Sequence, residues 1–351
     1  LELTGTSTNT PVTISMDAVL SDQNGGLGSM ADIANAGTLT LGTSDTVNFY
    51  TSFGGTLGGT GSLTATTGAL LSGGSTLSGR LYGDIITRGD VLVSGETGGS
   101  QLTVEHGTLT STGDLANEVI GIFQKATLVQ EGSFLPAASL NNNGTLTINT
   151  NSRVDSYLQN GESLLDGTAS LTANTATLNG GEVAGSLQSD ITSTGEVLVS
   201  GSIGGDSLSV NSGTLTLTGT STVVPVNIAS SATRISKNRA LAHDTELANA
   251  GTYRGSDTIS TYTSNGGTFE AGEFSAVNGA FLNDGSTISG DLRGDTTTNG
   301  MVLISGRAGK SGTLVVNSGV LTLTGSLLYH QVTINEGAAL VNEGDLGDYW
   351  G

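Results

Sequence analysis

Short runs of alternating apolar and polar residues recur along this chain, each bounded by Gly, Asn or Ser. Gly37-Thr38-Leu39-Thr40-Leu41, Gly144-Thr145-Leu146-Thr147-Ile148 and Gly213-Thr214-Leu215-Thr216-Leu217 show the pattern. A period of two puts Leu or Ile on one side of a strand and Thr on the other. The bounding residues supply turns. Helix signals are scarce. Only Met16–Ile33, Asp114–Lys125 and Ser236–Leu247 tolerate a helix, and the last follows a Pro-Val element as the first does. A short helical or irregular insertion, or a polar loop, is expected there.

The runs belong to a longer period. Asp90-Val91-Leu92-Val93-Ser94-Gly95 returns as Glu196-Val197-Leu198-Val199-Ser200-Gly201 and as Met301-Val302-Leu303-Ile304-Ser305-Gly306, an offset of about 106 residues. The glycines Gly37, Gly144 and Gly251 are linked by nearly the same offset. Leu1-Glu2-Leu3-Thr4-Gly5-Thr6-Ser7-Thr8 matches Leu215-Thr216-Leu217-Thr218-Gly219-Thr220-Ser221-Thr222, and Pro11-Val12-Thr13-Ile14 matches Pro225-Val226-Asn227-Ile228, with His330-Gln331-Val332-Thr333-Ile334 in the corresponding place of the last copy. The expected units are 1–108, 109–214 and 215–320, with a partial fourth at 321–351. Such self-similarity marks an elongated array whose units contact mainly their neighbours. Arrays need polar caps, and neither end resembles one, so a slice of a longer protein is expected.

Within each unit the alternating runs lie roughly 15 to 25 residues apart, giving about five turns of chain per unit. That spacing fits an all-β fold, a right-handed parallel β-helix, or solenoid. Stacked at about 4.8 Å, about seventeen coils are expected in all. The rival is a string of immunoglobulin-like sandwiches, whose modules are about 100 residues long. Those need aromatic anchors at fixed places, whereas Trp350 is the only Trp, and Tyr82 gives way to Gln188 and Arg293 in the other units.

Composition narrows the function classes. Gly 55 and 4% aromatic residues speak against ordinary globular cores, and 12% charged residues leave the surface to Thr, Ser, Asn and Gly. The net charge of −20 excludes nucleic acid and anionic membranes as expected partners, since both call for Lys and Arg. No stretch approaches the about 20 apolar residues of a membrane helix, so no membrane insertion is expected of this segment. The absence of cysteine suits a chain that crosses an oxidising periplasm unfolded.

Candidate chemistry is sparse. His106, His243 and His330 lie at unrelated phases, without metal-ligand spacing. Neither a metal nor a cofactor is expected. Asp84, Asp190 and Asp295 occupy one phase of the repeat, which reads as a turn position rather than a catalytic pair. Gly25-Gly26-Leu27-Gly28 lacks the Asp of calcium-binding β-roll repeats. Arg88-Gly89-Asp90 and Arg293-Gly294-Asp295 are candidate receptor-binding triplets, since a flexible Arg-Gly-Asp loop can engage integrins. They sit at different phases, their counterparts being Thr194-Gly195-Glu196 and Tyr82-Gly83-Asp84 respectively. Thr-x-Thr pairs occur on about two coils in five, too few for a continuous ice-binding array and consistent with β-propensity.

Ser212-Gly213-Thr214-Leu215-Thr216-Leu217-Thr218-Gly219-Thr220-Ser221-Thr222, followed by Val226-Asn227-Ile228, resembles the passenger-associated repeat of bacterial autotransporters. Ser318-Gly319-Val320-Leu321-Thr322-Leu323-Thr324-Gly325 with Val332-Thr333-Ile334 is similar. The style of Leu247-Ala248-Asn249-Ala250-Gly251-Thr252 and Phe281-Leu282-Asn283-Asp284-Gly285 extends the resemblance along the chain. It implies a secreted β-helix displayed on the outer surface of a Gram-negative bacterium, most often an adhesin or aggregation factor. The expected function is attachment or self-aggregation through extended polar faces, without enzymatic activity. The expected partner is a second copy, a host or cell-surface receptor, or a glycan. The alternatives are a passive stalk that presents a distal tip, and a carbohydrate-active β-helix enzyme.

Overall fold

The computed structural model describes residues 1–7, 11–310, 312–329 and 331–346, so Trp350, His330 and Thr8 lie outside the described residues. The described residues form strands, turns and bends, with no helix among them. The chain divides into two compact units, residues 1–175 with 184–187, and residues 176–183 with 188–351. Each is a parallel β-solenoid. A turn takes about 18 residues, so the chain makes about 19 turns, more than the about seventeen expected.

In the first unit each turn lays down three short strands, one per face. Asp32–Asn35, Thr38–Leu41 and the start of Asp45–Phe53 make one such turn. Every strand pairs in parallel with its equivalent on the next turn, so three ladders run along the unit. On the first face the inward side chains Leu20, Leu39, Leu57, Leu77 and Val93 stack in register. On the second, Ile33, Tyr50, Ala69, Ile85, Leu102, Ile120 and Leu140 do the same. On the third, Leu63, Leu81, Thr97, Leu115 and Phe134 stack. All are buried, and together they fill a narrow core, mostly with medium-sized aliphatic side chains.

This register explains why Asp114–Lys125 is not helical. Asp114–Ile122 is a strand, because Leu115 and Ile120 continue the columns that contain Thr97 and Leu102. Met16–Ile33 likewise holds the strand Val19–Asp22, a turn-rich excursion, and the beginning of Asp32–Asn35. Ser236–Leu247 is an irregular excursion between Ala232–Ser236 and Glu246–Asn249.

The glycines Gly37, Gly144 and Gly251 occupy one kind of corner. In each, a buried asparagine two residues earlier accepts the glycine N–H at 3.1 Å. The same asparagine donates to a buried tyrosine hydroxyl: Asn35 to Tyr50, Asn142 to Tyr157 and Asn249 to Tyr262, at 3.0, 3.1 and 3.0 Å. A second donation reaches a backbone carbonyl about one turn ahead, that of Thr56, Leu164 or Thr268. Glycine is required because a Cβ on Gly144 would lie 2.3 Å from the Phe123 carbonyl oxygen and 2.4 Å from that of Ala126. The Val-Ser-Gly motif marks a second tight corner. A Cβ on Gly113 would meet the Gly95 carbonyl oxygen at 1.8 Å, and one on Gly132 would meet that of Gly113 at 1.9 Å.

In the second unit aromatic rings replace part of the aliphatic core. Tyr253 and Phe269 from one face, Tyr262 from another and Phe274 from the third meet with centroid separations of 5.1 to 5.9 Å.

Candidate functional site

Outward positions of a parallel ladder repeat at the strand spacing, about 4.8 Å, so a residue kept at one outward position becomes a column. In the second unit Thr214, Thr233, Thr252, Thr268 and Thr287 stand on five successive turns in direct register. Leu303 and Thr322 follow. In the first unit Thr38, Thr56 and Thr76 are followed by Leu92, Thr110, Val129 and Thr147. All these threonines are half-buried, with no side-chain hydrogen bond to another described residue. Their hydroxyls are therefore not engaged by another described side chain or backbone group. The columns are denser than a count of Thr-x-Thr pairs implies. Thr252-Tyr253-Arg254 and Thr268-Phe269-Glu270 carry threonine at the first outward position only, and pair counting misses them.

Where leucine interrupts each column, the surface dips. One depression is lined by Thr76, Leu92 and Thr110, and the second unit has an equivalent one lined by Thr287, Leu303 and Thr322. Both come from copies of the motif that contains Asp90–Gly95 and Met301–Gly306.

A second ordered feature follows the corner beyond the neighbouring face of the second unit. Asn283 donates to Asn265 at 2.7 Å, Asn299 to Asn283 at 3.1 Å, Asn317 to Asn299 at 2.8 Å and Asn335 to Asn317 at 2.9 Å. Five side-chain amides thus form a ladder parallel to the coil axis. The sequence shows asparagines before glycine-rich turns, but not that they share a column.

The Arg-Gly-Asp triplets lie one in each unit, and both are held against their coils. Arg88 ends the strand Ile85–Arg88 and pairs with Glu105 at 2.7 Å, while the Asp90 carboxylate accepts the Thr108 N–H at 3.3 Å. Arg293 pairs with Glu273 and stands 3.8 Å from Asp291; Asp295 accepts the Thr313 N–H at 2.7 Å and its hydroxyl at 3.1 Å. Gly89 and Gly294 adopt φ of 78° and 107°, which makes each triplet a tight turn. Asp190, at the same phase as Asp295, accepts the Ser207 hydroxyl at 3.2 Å. These aspartates link one turn to the next.

One pair of neighbouring carboxyls is not singled out by the sequence. Asp22 and Asp45 are both buried, near enough at one end of the third face for the Asp22 charge to act on Asp45. Asp22 accepts the backbone N–H groups of Asn24 at 3.1 Å and Gly26 at 2.8 Å; Asp45 accepts that of Leu27 at 3.2 Å. Burial, reinforced by the neighbouring Asp22 charge, pushes the Asp45 carboxyl up to about 6. The pair clamps the Gly25–Gly28 loop. The only advance signal is an Asp that ends a strand just before a Gly-rich turn.

Arg234 is the other anomaly. It takes an inward position between Leu215 and Tyr253, fully buried, and its guanidinium nitrogens find no hydrogen-bond partner among the described residues. Burial lowers its pKa, opposed by the nearby Asp257 carboxylate. The Asp257 carboxylate accepts the Tyr253 hydroxyl and the Leu241 N–H, the latter at 3.0 Å. His106 and His243 are exposed, and no group of three His, Cys, Asp or Glu side chains arranged to hold a metal ion occurs among the described residues.

The chain is thus a parallel β-solenoid whose ordered chemistry lies on its outer columns. Comparison with protein-family models, curated proteins and solved structures gives no match.

Proposed function

We propose that this chain is a segment of a secreted, cell-surface adhesin that attaches cells to one another, or to another surface, through its polar columns. The observation that carries the reading is the run of five successive threonines, Thr214 to Thr287, with hydroxyls unengaged within the protein. One such contact is weak. Repeated at constant spacing on a rigid scaffold, many act together and their avidity multiplies. The autotransporter-like motifs in the sequence agree with display on a bacterial surface. The net charge of −20 opposes close approach of two copies and makes self-association sensitive to ionic strength. A binding role is favoured over catalysis because the buried neighbouring carboxyls Asp22 and Asp45 are committed to holding a loop.

The test is to display the segment on a non-adherent bacterium and record settling, alone and mixed with undisplayed cells. Settling of displaying cells only, faster as salt rises, supports homotypic attachment. Co-settling of both indicates a ligand on the bare cell. Absence of settling in either arrangement refutes attachment between cells and leaves a host receptor or a passive stalk.

A further inference from the structure

In the first unit, the corner column beyond the second face carries two exposed phenyl rings. Phe53 is in register with Ser72, Ser72 with Arg88, and Arg88 with His106. Phe123 stands on the next turn, its N–H bonded to the Val104 carbonyl at 2.9 Å. The rings are 59% and 49% exposed, in a protein that buries most of its aromatic side chains. Four coil steps separate them, about 19 Å at the usual strand spacing.

The ground around each ring is polar and rich in glycine. Beside Phe53 lie Gly54, at φ 76°, and Gly73, where a Cβ would meet nothing within 4 Å. Phe123 lines a depression with Gln124, Asn143, Gly161 and Glu162. Gly161 also has open space where a side chain would stand. An exposed ring bordered by amides and cleared by glycines offers an apolar platform with hydrogen-bond donors and acceptors at its rim. Arg88 is paired with Glu105, and Lys125 and Glu162 bring one charge of each sign to the Phe123 end.

We propose that this strip binds a linear, uncharged polysaccharide lying along the coil axis, with a sugar ring stacked on Phe53, another on Phe123, and hydroxyls hydrogen-bonded to Gln124 and Asn143. A pyranose ring has an apolar face of C–H groups and a polar rim, which match the platform and its border. An anionic glycan finds no unpaired cation at Arg88. The inference rests on the attachment reading for its biological role, but not for its geometry.

The experiment is binding of the purified protein to cellohexaose, mannohexaose and N-acetylchitohexaose, with a sulfated hexasaccharide as the charged comparison. The expected result is saturable binding of at least one neutral sugar. Phe53→Ala and Phe123→Ala should each weaken it at least tenfold with melting unchanged, while Phe281→Ala, an exposed ring in the second unit, leaves it intact. Binding of none of the neutral sugars, binding of the sulfated sugar alone, or neutral binding indifferent to both substitutions would overturn the proposal. Settling of displayed cells that persists in a Phe53→Ala/Phe123→Ala variant, without sugar binding, would remove this strip and leave the attachment reading standing.

Discussion

Replacing Asn142 by alanine should cost the first unit much of its stability. Asn142 is fully buried, and its amide closes three hydrogen bonds within one corner: from the Gly144 N–H at 3.1 Å, and to the Tyr157 hydroxyl at 3.1 Å and the Leu164 carbonyl at 3.0 Å. Tyr157 keeps its own donation to Gln159 at 2.8 Å and is only partly affected. The buried Gly144 N–H loses its acceptor, and the half-buried Leu164 carbonyl loses a donor. A buried polar group left unsatisfied costs about 1–3 kcal/mol. The Gly144 N–H alone gives about 1–3 kcal/mol, a sizeable share of the about 5–15 kcal/mol that holds an ordinary domain together. Urea unfolding followed by far-ultraviolet circular dichroism measures the loss. Asn143→Ala, one residue on and exposed, is the control and should stay within about 0.5 kcal/mol. Asn35→Ala and Asn249→Ala should repeat the effect, since both asparagines make the same three kinds of bond. A loss below about 1 kcal/mol at Asn142 would refute the assignment of these corners as fixed points of the fold.

Three further outcomes are expected. Gly144→Ala should destabilise strongly, because the new methyl would lie 2.3 and 2.4 Å from two carbonyl oxygens, whereas Gly73→Ala, with nothing within 4 Å, should leave the melting temperature almost unchanged. Asp45 in the folded protein holds its proton up to about pH 6, against 3.8 for the unconstrained side chain, so its contribution is fully present below about pH 4 and lost as pH rises through 6. Urea titrations at pH 4 and pH 7.5 should show a larger loss of stability with rising pH in the wild type than in Asp45→Asn. Arg234→Met should be neutral or stabilising by about 1–4 kcal/mol, since it removes a buried guanidinium with no hydrogen-bond partner while Asp257 keeps the Tyr253 and Leu241 donors; a loss above about 3 kcal/mol would show that the Asp257 attraction outweighs desolvation.

The sequence reveals those parts of the fold that repeat locally. Alternation in Thr38–Leu41 and Thr145–Ile148 identifies strands and their inward leucines, and both are buried as expected. The glycines Gly37, Gly144 and Gly251 stand out by their spacing, and all three prove to be corners where a side chain would strike backbone oxygens. Features that depend on which turn lies above which are hidden. Phe53 and Phe123 share a column although seventy residues of chain separate them, because successive coils contain unequal numbers of residues. The Asp22–Asp45 pair forms through a loop whose path no periodicity describes. Asp114–Ile122 tolerates a helix by composition, but its register with Glu96–Val104 satisfies the backbone as a strand and places Leu115 and Ile120 in the core. Tertiary pairing overrides weak local propensity there.

The most direct measurement is settling of cells that display the segment with Thr233, Thr252 and Thr268 all replaced by valine, against cells that display the native segment. Valine keeps the shape and strand preference of threonine and removes only the hydroxyl. The expected result is loss of settling with unchanged circular dichroism and melting. Settling at the native rate would contradict the claim that the threonine column makes the attachment.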